Sequence, residues 1–296
     1  IRECLKRAGI EPNLVDQVVL GCVGQVAEDG YIARHAAIKA GLPVETPAYT
    51  VNRICGSGLE ASNTAARWLE TGDAEIVGAG GAENMSLMPF YVRKGRYGYR
   101  YGDGVLEDGT QDLVTDPFED YPIGMTAENL ATSHEIPRIE QEKFAALSHK
   151  KAILADSNGL FKDEITPLSG IHSDGCMRKP NLEKMAELKP VFIDTGSVTA
   201  ATSSPLTDGA SSLVVCSEHY AEENSITPLA TIVSTAVAGV PPEIMGYGPV
   251  PATEKALNRA GLSLDEIDVI EMNEAFSAQS LACLKDMGLD LSLIHI

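Results

Sequence analysis

Cys55 is the residue whose neighbours best suit nucleophilic chemistry. β-prone residues precede it, and Gly56, Ser57 and Gly58 follow before a helical run of mostly small residues begins. This order predicts a thiol at a strand-to-helix turn, where the unpaired N–H groups and the macrodipole of the helix favour the thiolate. The two glycines would let a substrate approach the backbone closely. Because free cysteines also pack as small hydrophobic residues, the pattern alone leaves a nucleophile and a packed thiol as open interpretations.

A second predicted strand-to-helix turn carries Asn273. Residues 268–272 have an apolar strand pattern, Asn273-Glu274-Ala275-Phe276 follows, and a helical pattern continues through Cys283. An asparagine in such a place is most often an ordinary turn or cap residue. Its position repeats that of Cys55, so the sequence contains two similar strand-to-helix turns.

Neither a metal site nor a phosphate-binding loop is predicted. The cysteines and the six histidines show no metal-ligand spacing. Residues 78–81 are rich in glycine, yet they match neither GxGxxG nor a P-loop, so a tight structural turn is favoured. Scattered cysteines are typical of a protein in a reducing compartment. They are Cys4, Cys22, Cys55, Cys176, Cys216 and Cys283.

Composition limits the partners. With 42 acidic against 23 basic residues, the net charge of −19 repels nucleic acid and anionic membranes, so an anionic ligand needs a local basic pocket. No apolar run approaches the ~20 residues that cross a bilayer, and no signal peptide opens the chain. We therefore expect a cytoplasmic or organelle-matrix protein without membrane insertion.

The elements that would position these residues alternate between strand and helix. Strands are predicted at 18–21, 49–55 and 75–80, and helices at 33–40 and 58–71, the second with Leu59, Ala65, Ala66 and Leu69 on one face. From about residue 87 the pattern is irregular, with helices at 126–134, 138–157 and near 181–187. Further strands are predicted at 212–216, 230–233 and 268–272, and Thr253 is predicted to cap a helix that ends at Gly261.

This order predicts an α/β fold of two similar halves with an inserted loop lobe. The first half would comprise residues 1–86 and about 206–226, the lobe residues 87–205, and the second half would start at 227–290. The last six residues, 291–296, resemble a translated sequencing adapter and are left out of the fold prediction.

A series of motifs runs in order along nearly all of residues 1–290. They are Gly24-Gln25, residues 33–37, the Cys55 segment, residues 78–86, Thr126-Ala127-Glu128-Asn129, residues 197–200 and 204–210, residues 245–249 and Asn273-Glu274-Ala275-Phe276. In this order they resemble the motifs of the thiolase family, the acetyl-CoA acetyltransferases and 3-ketoacyl-CoA thiolases. The resemblance implies a layered αβαβα fold whose C-terminal half is incomplete here.

The resemblance also implies roles for individual residues. Cys55 would carry the acyl group, and Asn273 would stabilise an oxyanion through a bound water, together with a histidine. No cofactor would be bound permanently, since coenzyme A thioesters are the substrates. The residues implied to line the pantetheine arm are Ala200, Ser204 and Leu206. Met245 and Phe276 are implied to form walls of the acyl pocket, and Arg178 to contact the adenosine phosphate.

The implied activity is that of an acetyl-CoA acetyltransferase, with two alternatives. Pro122-Ile123 stands where short-chain biosynthetic thiolases often have His-Met, which favours a degradative 3-ketoacyl-CoA thiolase of longer chains. Asn273 favours the short-chain or general type. The other alternative is a non-catalytic thiolase-like protein that binds acyl-CoA or lipid. A homodimer or homotetramer is expected by resemblance for the full-length protein.

We expect the 296-residue chain itself not to turn over. The family's Gly-His-Pro and Cys-x-Gly-Gly-Gly motifs, which activate the nucleophile and shuttle the α-proton, do not occur in this sequence. We interpret the chain as a fragment that lacks both ends, with an exposed apolar face and poor solubility. Sustained CoA-dependent cleavage of acetoacetyl-CoA by the purified chain would contradict this prediction.

Overall fold

The computed structural model describes residues 1–290, so the adapter prediction for 291–296 lies outside the described residues. These residues form two compact units. The first unit comprises Ile1–Val114 and Leu206–Val233, and the second comprises Thr115–Pro205 and the described residues from Ser234 onward. The predicted division into 1–86 with about 206–226, 87–205 and 227–290 stays a prediction.

The described residues contain eight strands: β1 Gln17–Gly21, β2 Ala48–Val51, β3 Ile76–Asn84, β4 Phe90–Tyr91, β5 Glu107–Asp108, β6 Thr115–Asp116, β7 Tyr121–Pro122 and β8 Asp208–Cys216. A four-stranded mixed sheet organises the first unit, with β1 between β2 and β3 in parallel and β8 antiparallel beside β3. Two short two-stranded ribbons, β4 with β5 and β6 with β7, lie outside this sheet.

Five of the helices in the described residues end at a glycine. Gly41 (φ 95°) and Gly72 (φ 75°) adopt the left-handed conformation that closes the helices before them. The helices are α1 Arg2–Ala8, α2 Ile32–Ala40, α3 Ser57–Thr71, α4 Gly109–Leu113, α5 Gly124–Ser133, α6 Arg138–Ser157, α7 Leu182–Ala186, α8 Glu218–Glu223, α9 Pro249–Ala260 and α10 Ser277–Met287.

Both faces of the central strand β1 are buried. Val18 packs with Leu5 and Ala33 from α1 and α2, whereas Val19 packs with Ala61 of α3. Successive side chains of a strand point to opposite faces, so this alternation places helices on both sides of the sheet. The predicted α/β class is thereby confirmed for the first unit.

In the core of the second unit, α5 and α10 pack with the segment that precedes α10. Ala127 of α5, Val198, Phe276 and Ala278 form one buried cluster. The rings of Phe192 and Phe276 meet edge to face with centroids 5.8 Å apart. These contacts fix the chain before α10, where Asn273 lies.

Three predicted strand assignments are wrong. The strand at 49–55 ends at Val51, and residues 230–233 and 268–272 form no strand apart from an isolated bridge at Ile270. An apolar run predicts burial, but a strand also needs a neighbouring strand to bond with. Within the described part of the chain, neither segment lies in a ladder.

Two helix details also differ from the prediction. The side chain of Leu59 is 70% exposed, because α3 turns its small residues, such as Ala61 and Ala65, toward the sheet. Helix α9 begins at Pro249, four residues before the predicted cap Thr253, since proline is well suited to a first helical position. Among the described residues, no helix is both long enough and apolar enough to cross a membrane.

Candidate active site

Cys55 lies in a tight turn between β2 and α3. Ile54, just before it, has a φ of +47°, a left-handed conformation that is costly for a β-branched residue. Hydrogen bonds hold it there: the Ile54 N–H donates to Asn52 Oδ1 at 2.9 Å and the Ser57 hydroxyl donates to the Ile54 carbonyl at 2.6 Å. The turn leaves Cys55 exposed to solvent at the start of a helix, as the sequence predicted.

Helix α3 can begin at this position because Gly21, the last residue of β1, packs against its first turn. A Cβ atom at Gly21 would lie 2.5 Å from the backbone nitrogen of Gly58 and would collide with Ser57. Only a residue without a side chain allows the first turn of α3 to approach β1 this closely. Gly21 therefore allows the short distance between the sheet and the turn that carries Cys55.

A charge cluster fixes the same turn from its other side. Glu60, which is 9% exposed, bonds to Arg53 at 3.2 Å and to Arg67 at 3.1 Å. A carboxylate in the first turn of a helix also interacts favourably with the helix dipole. Arg53 is thus tied to α3 two residues before Cys55.

Glu83 lies at the carboxyl end of β3 and orders the chain after β1. Its carboxylate accepts hydrogen bonds from the Val23 N–H at 2.8 Å and the Gly24 N–H at 3.0 Å. Cys22 Sγ is 3.7 Å from the same carboxylate, and burial together with Glu83 raises the pKa of Cys22 to about 12. Cys22 is therefore a protonated, unreactive thiol.

The Cys55 backbone N–H favours the thiolate, as expected for a helix terminus, but other effects outweigh it and the net pKa of Cys55 is raised, contrary to the expected thiolate. Desolvation by the surrounding protein raises the pKa of Cys55, and the charge of Glu83 adds to the rise, although the Cys55 backbone N–H opposes it. Cys55 is therefore protonated at neutral pH. A nucleophile in this environment needs a base to take its proton.

We predict that alkylation of Cys55 by iodoacetamide accelerates with pH up to and beyond pH 9. The thiolate is the reacting form, and its fraction grows about tenfold per pH unit below the pKa. Peptide mapping by mass spectrometry would follow the Cys55 adduct, with Cys55→Ser as the blank. A rate that is already constant well below pH 9 would contradict the raised pKa.

Asn273 lies in the second unit, exposed, on a segment that is held in place. The Ser204 N–H donates to the Ala275 carbonyl at 2.9 Å, and Ser203 forms an antiparallel bridge with Phe276. The structure thus brings together Ser204 and Phe276, two of the predicted binding residues. Helix α10 begins at Ser277, so Asn273 precedes the helix and does not cap it.

Ala200 lies in the same region, in a single 3-10 turn, Ala200–Thr202. A capping box closes this turn, with the Thr199 N–H donating to Thr202 Oγ1 at 2.9 Å. Both Ala200 and Ser204 are exposed. The turn therefore presents a small residue and a hydroxyl on an ordered backbone.

The remaining predicted residues, Met245, Arg178 and Leu206, belong to segments other than the Ala200–Thr202 turn. Met245, 36% exposed, belongs to the 3-10 segment Pro242–Tyr247. Arg178 is exposed, and desolvation together with the Arg178 charge lowers the pKa of His149. Leu206 is 62% exposed and belongs, like Cys55, to the first unit.

Sequence reasoning gave no role to three polar residues that the structure makes prominent. Glu83 contributes to the raised pKa of Cys55, while Glu128 and Asn129 each hold a loop segment of the second unit. The signal for them in the sequence is their membership of two of the ordered motifs, residues 78–86 for Glu83 and Thr126-Ala127-Glu128-Asn129 for the other two. Among residues 1–290, no group of three or more His, Cys, Asp or Glu side chains could hold a metal ion.

Comparisons with known proteins show which family this sequence matches. The thiolase N-terminal domain model matches residues 1–219, and the thiolase C-terminal domain model matches residues 226–296. The acetyl-CoA acetyltransferase of Pseudomonas aeruginosa is 45% identical over 307 aligned positions, which span 100% of this chain and 78% of that protein. A 3-ketoacyl-CoA thiolase of Vibrio vulnificus is 44% identical, with 95% and 72% covered.

Solved structures give the same result. The human mitochondrial 3-ketoacyl-CoA thiolase in complex with CoA superposes with a TM-score of 0.97 at 40% identity, covering 100% of this chain and 76% of that one. The acetyl-CoA acetyltransferase of Bacillus anthracis gives a TM-score of 0.94 at 40% identity, with 99% and 77% covered.

Proposed function

This chain belongs to the thiolase family, and from that membership we propose that it is an acyl-CoA acyltransferase that uses Cys55 as its nucleophile. The reaction interconverts two acetyl-CoA with acetoacetyl-CoA and CoA. The observation that carries the proposal is the strained turn at Ile54, which holds an exposed thiol at the start of α3. Strain of this kind clusters at functional sites.

In the first half-reaction, the Cys55 thiolate attacks the thioester carbonyl of acetyl-CoA. A bond forms between Sγ and the carbonyl carbon, the bond from that carbon to the CoA sulfur breaks, and the CoA thiolate takes up the proton that Cys55 released on ionising. The backbone N–H of Cys55 is a suitable donor for the oxyanion, since it already stabilises negative charge on Sγ and thereby lowers the pKa.

In the second half-reaction, another acetyl-CoA loses an α-proton to a base and its carbanion attacks the acyl-cysteine. A carbon–carbon bond forms, the bond between Sγ and the acyl carbon breaks, and Cys55 leaves as a thiolate that takes up the proton removed from the second acetyl-CoA. We propose that the amide of Asn273, through a bound water, stabilises the enolate oxygen of this step. Its exposed position on an ordered segment supports this role.

The substrate arm is proposed to contact residues that thiolases use. Ala200 and Ser204 would line the pantetheine, and Phe276, 8% exposed beside Ser203, would form an apolar wall with Met245. Leu206 and Arg178 are proposed contacts on the same basis, Arg178 as the cation for the adenosine phosphate.

A degradative 3-ketoacyl-CoA thiolase is the second candidate. Pro122-Ile123 in place of His-Met and the relative in Vibrio vulnificus favour it. The two candidates share the acyl-cysteine and differ in the acyl chain that the pocket accepts. Acylation rates with acetyl-CoA and with a longer acyl-CoA would separate them.

The proposal is tested by single acyl transfer from acetyl-CoA to the chain at alkaline pH, where a thiol with a raised pKa becomes reactive without a base. We expect one acetyl group, mapped to the peptide that carries Cys55, with release of an equal amount of CoA. Binding of acetyl-CoA without any adduct at high pH would indicate the non-catalytic alternative instead.

A further inference from the structure

Helix α5 contains the motif Thr126-Ala127-Glu128-Asn129, and its carboxylate holds the chain before Ala200. Glu128 is 5% exposed and accepts hydrogen bonds from the Ser197 N–H at 3.0 Å, the Val198 N–H at 2.9 Å and the Ser197 hydroxyl at 3.1 Å. Bonds from N–H groups to an ionised carboxylate are among the stronger hydrogen bonds of proteins. The backbone at 197–198 is therefore fixed to α5.

Gly196 allows the Glu128 carboxylate to lie close to the backbone of residues 197–198. A Cβ atom at residue 196 would collide with Oε1 of Glu128, so Gly196 is needed for the carboxylate to reach the two N–H groups that follow. The capped turn at Ala200–Thr202 and then Ser204 come directly after this anchored segment. Glu128 thus determines where the proposed pantetheine-lining residues begin.

The next residue of α5 holds a different segment. Asn129 Nδ2 donates to the Glu243 carbonyl at 2.8 Å, two residues before Met245. A Cβ atom at Gly246 would lie 2.4 Å from Cγ of Gln279 on α10 and 3.3 Å from Cδ1 of Leu130 on α5, so the segment packs closely against both helices. The Asn129 side chain thus provides the hydrogen bond that ties the proposed acyl-pocket wall to α5.

We propose that Glu128 and Asn129 are positioning residues that act on two separate parts of the substrate. Glu128 sets affinity for the pantetheine arm, which all substrates share, and Asn129 sets the preference for acyl chain length through Met245. This inference rests on the proposed function, because it assumes that Ala200, Ser204 and Met245 contact an acyl-CoA. Neither Glu128 nor Asn129 needs to touch the substrate itself.

The two roles predict different changes in ligand affinity, a common loss for Glu128 and a changed preference between ligands for Asn129. The probes are CoA and its non-reactive thioethers S-ethyl-CoA and S-hexyl-CoA, titrated by calorimetry into the whole chain. Glu128→Gln replaces an acceptor oxygen with an NH2 group that faces N–H donors, so we expect all three affinities to fall together by about tenfold or more. Asn129→Ala should leave CoA affinity within about twofold and change the hexyl-to-ethyl ratio by about fivefold, since only the wall moves.

Matched controls and a milder variant keep the test decisive. Glu140→Gln on α6 and Asn158→Ala after α6 remove the same groups at exposed positions and should bind like the wild type. If Glu128→Gln does not fold, Ser197→Ala removes one donor to Glu128 and should weaken all three probes by about threefold. A merely structural role would not change the hexyl-to-ethyl ratio.

The outcomes separate this inference from the proposed function. If the wild type binds none of the three probes, the proposed function is wrong and the inference fails with it. If the wild type binds and the Glu128 and Ser197 variants bind equally well, or the Asn129 variant keeps the wild-type ratio, the inference alone is overturned.

Discussion

Replacing Cys55 with alanine should abolish acetylation of the chain by acetyl-CoA. The acyl group has no other acceptor in the proposed reaction, and removal of a nucleophile costs on the order of a thousandfold or more. The raised pKa of Cys22 leaves that nearby thiol protonated and unable to substitute. Intact-mass spectrometry after incubation at alkaline pH would count the acetyl groups on each variant.

A matched thiol deletion controls this experiment. Cys176 is a partly exposed cysteine in the loop between α6 and α7, and Cys176→Ala should retain the adduct in full. Cys55→Ala should also melt close to the wild type, because Cys55 belongs to neither of the buried hydrophobic clusters that pack on β1. An adduct that persists in Cys55→Ala and disappears in Cys176→Ala would show that the nucleophile has been assigned to the wrong residue.

Substituting Gly21 with alanine should destabilise the protein by about 3 kcal/mol or more. The added methyl group would overlap the backbone of Ser57 and lie 2.5 Å from the nitrogen of Gly58. Neither atom belongs to a flexible side chain, so α3 would have to move away from β1. Urea unfolding monitored by circular dichroism would measure the change in the free energy of unfolding.

The displacement of α3 in Gly21→Ala should also change the position of Cys55. Cys55 is two residues before the displaced first turn of α3, so Gly21→Ala should slow acylation even where the variant remains folded. Gly30 provides the control, since a Cβ atom there has no neighbour within 4 Å and Gly30→Ala should change stability by less than about 0.5 kcal/mol. Equal stabilities for the two variants would contradict the close packing of α3 on β1.

Much of the fold follows from local pattern. The helix predicted at 138–157 coincides with α6, and Gly41 and Gly72 end their helices as expected. Periodicity and left-handed glycines are properties of neighbouring residues, so a sequence displays them directly. The strand-to-helix turn at Cys55 belongs to this predictable class.

What the sequence could not provide depends on residues that are distant along the chain. The raised pKa of Cys55 depends on desolvation by the folded chain and on Glu83, which reaches the turn only when β3 joins the sheet. Residues 230–233 have the composition of a strand but form no ladder in the described structure. Likewise, the role of Glu128 becomes visible only once residues 197–198 lie against α5.

The raised pKa of Cys55 also affects how fast peroxide oxidises this residue. Peroxide oxidises the thiolate to sulfenic acid, and further oxidation to the sulfinic and sulfonic acids is in most proteins irreversible. An exposed cysteine with a low pKa would be consumed in this way while no substrate is bound. Because Cys55 keeps its proton at neutral pH, the environment that delays its acylation also protects it from chemical loss.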